Sequence, residues 1–140
     1  WRDAARAEWH LLMAALTVRT APVGALMHGW TADAAETGVT HPSPDRERAH
    51  RVATTVRRVA RYGPIRAACL TRSLAICRFL GAEGIQGAVV RIGVRPEGTR
   101  LEAHAWVEFG GEVIGDSVAH VSRFAELAST QPVPAGSRWT

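Results

Sequence analysis

Cys69, His104 and Asp116 are the three side chains whose types and order could do covalent chemistry in this 140-residue chain. A thiolate is a strong nucleophile. An imidazole titrates near neutrality and can take the thiol proton, and a carboxylate can fix the imidazole's tautomer and stabilise its charged form. Together they would attack a carbonyl, form a thioester and hydrolyse it. The backbone N–H of Cys69 would supply part of an oxyanion hole. Each residue alone has a plainer reading: Cys69 as a small buried hydrophobe, His104 as a half-buried strand histidine, Asp116 as a turn residue. His120 is a rival base, four residues after Asp116, in a loop with no partner implied.

These side chains need elements to hold them. Tyr62-Gly63-Pro64 breaks the chain just before Ala68-Cys69-Leu70. Leu70, Leu74, Cys77 and Leu80 then recur at helical spacing, and Gly84 offers a stop. Cys69 is thus expected at a helix N-terminus, where unpaired N–H groups and the macrodipole favour an anion. Upstream, 3–18 reads as a helix with Ala7, Leu11, Ala14, Ala15 and Val18 as its apolar stripe and Trp9, Leu12 and Leu16 beside it. A second short helix is expected over 23–30 and a loop over 31–44. Ser43 is expected as the N-cap and Pro44 as the first residue of a helix running to Tyr62, with Val52, Val56 and Val59 inward and arginines outward. After Gly84 the period changes. Strands are expected over 88–95, 101–109 and 112–116, a short helix over 121–128 and a loose tail over 131–140. Helices followed by an antiparallel meander imply α+β. The chain is expected to be a single domain, with a helical segment and loop over 1–42, a catalytic core over 43–128 and a tail over 129–140.

The hairpin register decides whether His104 and Asp116 meet. With Gly110-Gly111 alone as the loop, Ala105 faces Asp116, and His104 points to the other side of the sheet. With Phe109-Gly110-Gly111 as the loop, His104 faces Asp116 and shares a face with Trp106 and Ile114. The three-residue loop is the preferred register, although it sets Glu108 against Glu112.

The bulk composition excludes several classes. The formal charge is +4, yet every basic residue is Arg and none is Lys, and the arginines are scattered, so no nucleic-acid role is expected. No run of about 18 apolar residues exists, so no membrane span is expected. Cys69 and Cys77 lie eight positions apart on one helix. That is about 12 Å, too far for a disulfide. Free thiols and the lack of a visible signal peptide lead to an expectation of a reducing, cytoplasmic compartment. The remaining histidines show no metal spacing, and there is no phosphate loop or dinucleotide fingerprint. No metal and no cofactor are expected.

Cys69-Leu70-x-Arg72-Ser73-Leu74, the Gly84-Ile85 turn, Val90 to Val94, Ala103-His104-Ala105-Trp106-Val107-Glu108 and Gly115-Asp116 together resemble the lasso-peptide B proteins in their split, peptidase-only form. The likeness covers about 64–127. It implies a transglutaminase-like, papain-like α+β fold: N-terminal helices and a central catalytic helix packed on a small antiparallel sheet. It implies a cysteine peptidase that removes the leader of a ribosomally made precursor, with a triad on Cys69, His104 and Asp116. It also implies a separate leader-recognition protein and a lasso cyclase acting afterwards. The family's threonine before the cleavage site implies a small pocket that Trp106 helps wall. Thr71 departs from the proline often found there. The alternatives are another acyl transfer on the same triad, by a transglutaminase or a deamidase, and a non-enzymatic peptide-binding module with an inert Cys69.

Overall fold

The structure is a computed structural model and describes residues 1–21, 42–65 and 67–130, with side chains through 127. The expected helix over 23–30, most of the loop over 31–44 and the tail over 131–140 lie outside the described residues. Helix α1 spans Arg2–Thr20, α2 Ser43–Tyr62 and α3 Cys69–Ala82. Strands β1 (Ala88–Glu97), β2 (Arg100–Phe109) and β3 (Glu112–Ile114) follow, then one turn of helix, α4 (Val118–Val121), and strand β4 (Ala125–Thr130). The sheet is antiparallel with order β3-β2-β1-β4.

The main core lies between the three long helices and one face of the sheet. Ala7, Leu11 and Ala14 of α1 pack with Val52 and Val56 of α2 and Phe79 and Leu80 of α3, and α3 in turn packs on the sheet, which adds Val90, Val107 and Ile114 to the same core. Because α3 is covered by helices and by the sheet, its buried face is broad. Thr71, Ser73, Ala75 and Ile76 are buried, whereas Leu70 and Leu74, expected on the core stripe, are only half-buried. A smaller cluster of Trp106, Val121 and Phe124, with Val113 against it, covers part of the other sheet face. On α1, Trp9, Leu12 and Leu16 remain exposed.

Helix α3 is fixed firmly at its far end. Gly84 takes a left-handed φ of 77°, the Gly84 N–H donates to Gly81 C=O at 3.0 Å, and the Ile85 N–H donates to Leu80 C=O at 3.0 Å. These two bonds form a Schellman stop. Beside it Arg48 of α2 donates to Glu83 at 2.6 and 2.8 Å and to Asp3 of α1 at 2.6 and 3.0 Å. Arg6 reaches Glu83 at 2.7 Å and lies 4.6 Å from the Phe79 ring centre. The hydrogen bond from Arg48 holds the Glu83 and Asp3 carboxyls below their ordinary range.

Three local expectations are corrected. Ser43 is the first helical residue of α2 rather than its cap: Pro42 occupies the cap, and no side chain bonds there. Residues 121–128 do not form a helix. Helix α4 ends at Val121, and Ala125–Thr130 pairs with β1, satisfying an edge that would otherwise be bare. The β2–β3 loop is the two-residue Gly110-Gly111, with φ of 59° and 79°, so Phe109 faces Glu112 and Val107 faces Ile114. Two successive positive φ values make a type I′ turn, whose twist matches the strands.

Candidate active site

Cys69 is the first residue of α3. Its cap residue Ala68 is extended (φ −64°, ψ 164°), its carbonyl accepts from the Arg72 N–H at 3.0 Å, and no side chain caps the helix. Cys69 is half-buried, and its carbonyl accepts from Ser73 Oγ at 2.9 Å. Cys77, two turns on, is buried, and that burial pushes its thiol up to about 12.

His104 lies on β2, paired across the ladder with Gly93 of β1. Its Nε2 lies 2.7 Å from Asp116 Oδ2, with side-chain exposures of 11% and 19%. The other carboxylate oxygen accepts from the Ser117 N–H at 2.7 Å. The carboxylate is therefore held from both sides, and Nδ1 is the ring nitrogen left for a reacting group. The His104 ring is packed at 5.1 Å against Phe124, 6.2 Å against Trp106 and edge-on at 4.8 Å against His120. His120 thus has the partner that its sequence position did not imply.

The two-residue turn would put His104 and Asp116 on opposite faces if β3 continued. It does not continue. Gly115 takes a φ of 71°, which ends the ladder at Ile114 and turns Asp116 around the edge of β2. The two side chains meet through this break and not through the register expected from sequence. A Cβ at Gly115 would lie 3.1 Å from both Ala53 Cβ and Ile76 Cδ1, so the turn is also packed tightly against α2 and α3.

Cys69 and Asp116 line one narrow cleft of about 20 Å³, with Arg57 of α2, Arg72 and Ile76 of α3, and Ala105, Trp106 and Ile114 of the sheet among its walls. That is room for about one water. Among the described residues no hydrogen bond joins the Cys69 thiol to His104. Trp106 is largely buried, with its indole N–H donating to Glu108 at 3.2 Å. It backs the His104 ring and borders the cleft. No cluster of three His, Cys, Asp or Glu side chains is placed to hold a metal among the described residues. Likewise, no described helix is long and apolar enough to cross a membrane.

Sequence reading gave Gly93, Gly115, Ser117 and Phe124 no part in positioning His104 or Asp116. The signal for Gly115 was present, since a glycine directly before a candidate carboxylate marks a backbone departure. Phe124 had no such signal, because its role depends on β4 folding back onto β1.

No curated protein and no solved structure matches the chain. The family model described as the transglutaminase-like superfamily matches residues 11–129, a span that includes every element described except the first turns of α1 and the end of β4. With a cysteine heading its central helix, a histidine–aspartate pair on the adjoining strand edge and this match over most of its length, the chain belongs to the transglutaminase-like superfamily.

Proposed function

We propose that the protein is a cysteine peptidase that removes the leader from a ribosomally made precursor of the lasso-peptide type. The observation that carries the chemistry is the 2.7 Å contact between His104 Nε2 and Asp116 Oδ2 beside a cleft lined by Cys69. The superfamily includes both cysteine peptidases and acyl transferases, so the leader is a matter of substrate and not of fold. The sequence likeness over 64–127 supports the peptidase.

In this reading Asp116 fixes the proton of His104 on Nε2. His104 Nδ1 takes the Cys69 proton, reaching the thiol around the edge of β2 where β3 has ended. The thiolate adds to the scissile carbonyl, and the tetrahedral oxyanion is met by the Cys69 N–H. The C–N bond breaks, the leaving amine takes the proton from His104, and a thioester remains. Water, deprotonated by His104, adds to the thioester and frees the leader's carboxylate and the thiol. Trp106 backs the imidazole and helps shape the pocket for the residue before the cut. A separate recognition protein delivers the leader in a reducing, cytoplasmic compartment, and a cyclase uses the freed amine.

Cys69→Ala and His104→Ala, assayed for leader cleavage with and without the recognition protein, test this reading. Both variants are expected to lose cleavage while keeping the fold. Cleavage that survives Cys69→Ala defeats the mechanism. Ammonia release from glutamine side chains without a cut assigns the triad to deamidation instead.

A further inference from the structure

The outer edge of β2 beside His104 is open. The β1–β2 hairpin turns through Gly98-Thr99, and its closing pair is Glu97 and Arg100. Residues flanking a two-residue turn form a hydrogen-bonded pair, and bonded and non-bonded pairs then alternate along the ladder. Arg100, Glu102 and His104 therefore direct their N–H and C=O toward β1, and Leu101 and Ala103 direct theirs outward. The β2–β3 hairpin gives the same parity independently: its closing pair is Phe109 and Glu112, followed by Val107 and Ile114. There β3 stops. No main-chain hydrogen bond reaches the outward groups of Leu101 or Ala103 among the described residues. Leu101 is 73% exposed, and Ala103 is exposed as well.

Unpaired strand edges are usually blunted by charge, proline or a covering element. Here the outward-facing positions carry small or apolar residues, and the next position of the same parity, Ala105, lines the cleft of Cys69 and Asp116. An extended peptide is the partner that satisfies a row of main-chain donors and acceptors. Resting on the peptidase reading above, we propose that the precursor's backbone adds to the outer edge of β2 at Leu101 and Ala103 as an extended strand, which delivers the scissile carbonyl to the cleft. Affinity then comes from the main chain, and alternate substrate side chains face the sheet's two sides.

Steady-state cleavage of a synthetic precursor, with the recognition protein present, tests this. Ala103→Pro removes one outward donor and leaves the β1 ladder intact, because proline is tolerated on an edge whose N–H faces solvent. The expected result is a KM raised about fivefold, with kcat retained, for one lost main-chain hydrogen bond. A second arm needs no protein variant: the same precursor is N-methylated at single positions near the cut. KM is expected to rise at positions two residues apart and not at the one between them. A wild-type chain that cuts the precursor while neither Ala103→Pro nor any N-methylation moves KM overturns this inference and leaves the peptidase reading standing. A wild-type chain that cuts no precursor overturns both.

Discussion

Gly93 stands directly across the β1–β2 ladder from His104, and its missing side chain lets Trp106 and Phe124 close over it. A Cβ at this position would lie 2.9 Å from Phe124 Cβ and 3.0 Å from both Trp106 Cη2 and the Ala125 carbonyl oxygen. Two of those contacts are with Trp106 and Phe124, whose rings pack on His104. Gly93→Ala is expected to cost about 1–3 kcal/mol of stability through overpacking. It is also expected to lower kcat more than it raises KM, since the imidazole loses its backing. Urea unfolding and steady-state kinetics on the same preparation check both effects.

Gly115→Ala probes the break in β3. The left-handed φ of 71° disfavours any side chain, and two walls stand 3.1 Å from the new methyl. A loss of about 1–2 kcal/mol is expected from the backbone alone. Relief of that strain moves Asp116 away from His104, so activity should fall well beyond what the stability loss explains. NMR of the imidazole nitrogens checks this, because the Nε2 proton loses its short hydrogen bond.

The two thiols should separate by reactivity and by pH. Burial pushes Cys77 up to about 12, from an ordinary 9.0. Iodoacetamide near neutral pH should modify Cys69 and leave Cys77 untouched until unfolding; equal rates would favour a chain with an inert Cys69. The raised value also has a sign in stability. The folded chain keeps the Cys77 proton where the unfolded chain releases it. That contribution is fully present below about pH 9.0 and is lost as pH rises toward 12. Cys77→Val should flatten the alkaline decline seen in chemical unfolding.

Arg48 ties three helices together, and its loss should lower stability as well as turnover. Arg48→Met removes charge-assisted bonds to Glu83 and Asp3, at a cost of about 2 kcal/mol, discounted on the Asp3 side for its exposure. Both carboxyls titrate below their ordinary 4.5 and 3.8 in the folded chain. Their contribution is therefore present above those values and lost as pH falls through and below them. In the Arg48→Met variant the acid-induced loss below pH 4.5 should shrink, which urea titrations at falling pH would show.

Much of this arrangement was legible in the residues. Tyr62-Gly63-Pro64 and Gly84 bracket α3, and Cys69 sits at its first position as expected. The change of period after Gly84 marks β1 and β2. The encounter of His104 with Asp116 was anticipated through a register that does not occur. Parity rules hold only while a ladder lasts, and a left-handed glycine ends this one three residues after the turn. Residues 125–130 carry Ala, Glu and Leu, which favour helix, but the bare side of β1 recruits them as β4. That choice rests on contacts distant in sequence, so no local window contains it. Phe124, which presses on His104, inherits the same blindness.

The Schellman stop and the Arg48 ion pairs grip α3 at the end opposite its thiol. Fourteen residues of helix separate the grip from the sulfur, a rod of about 20 Å. A tilt of the whole helix by about 3° about that grip moves the sulfur by about 1 Å, enough to spoil an attack trajectory. Substitutions around Glu83 can therefore cripple turnover in a chain that still folds, and screens that look only near the sulfur would overlook them.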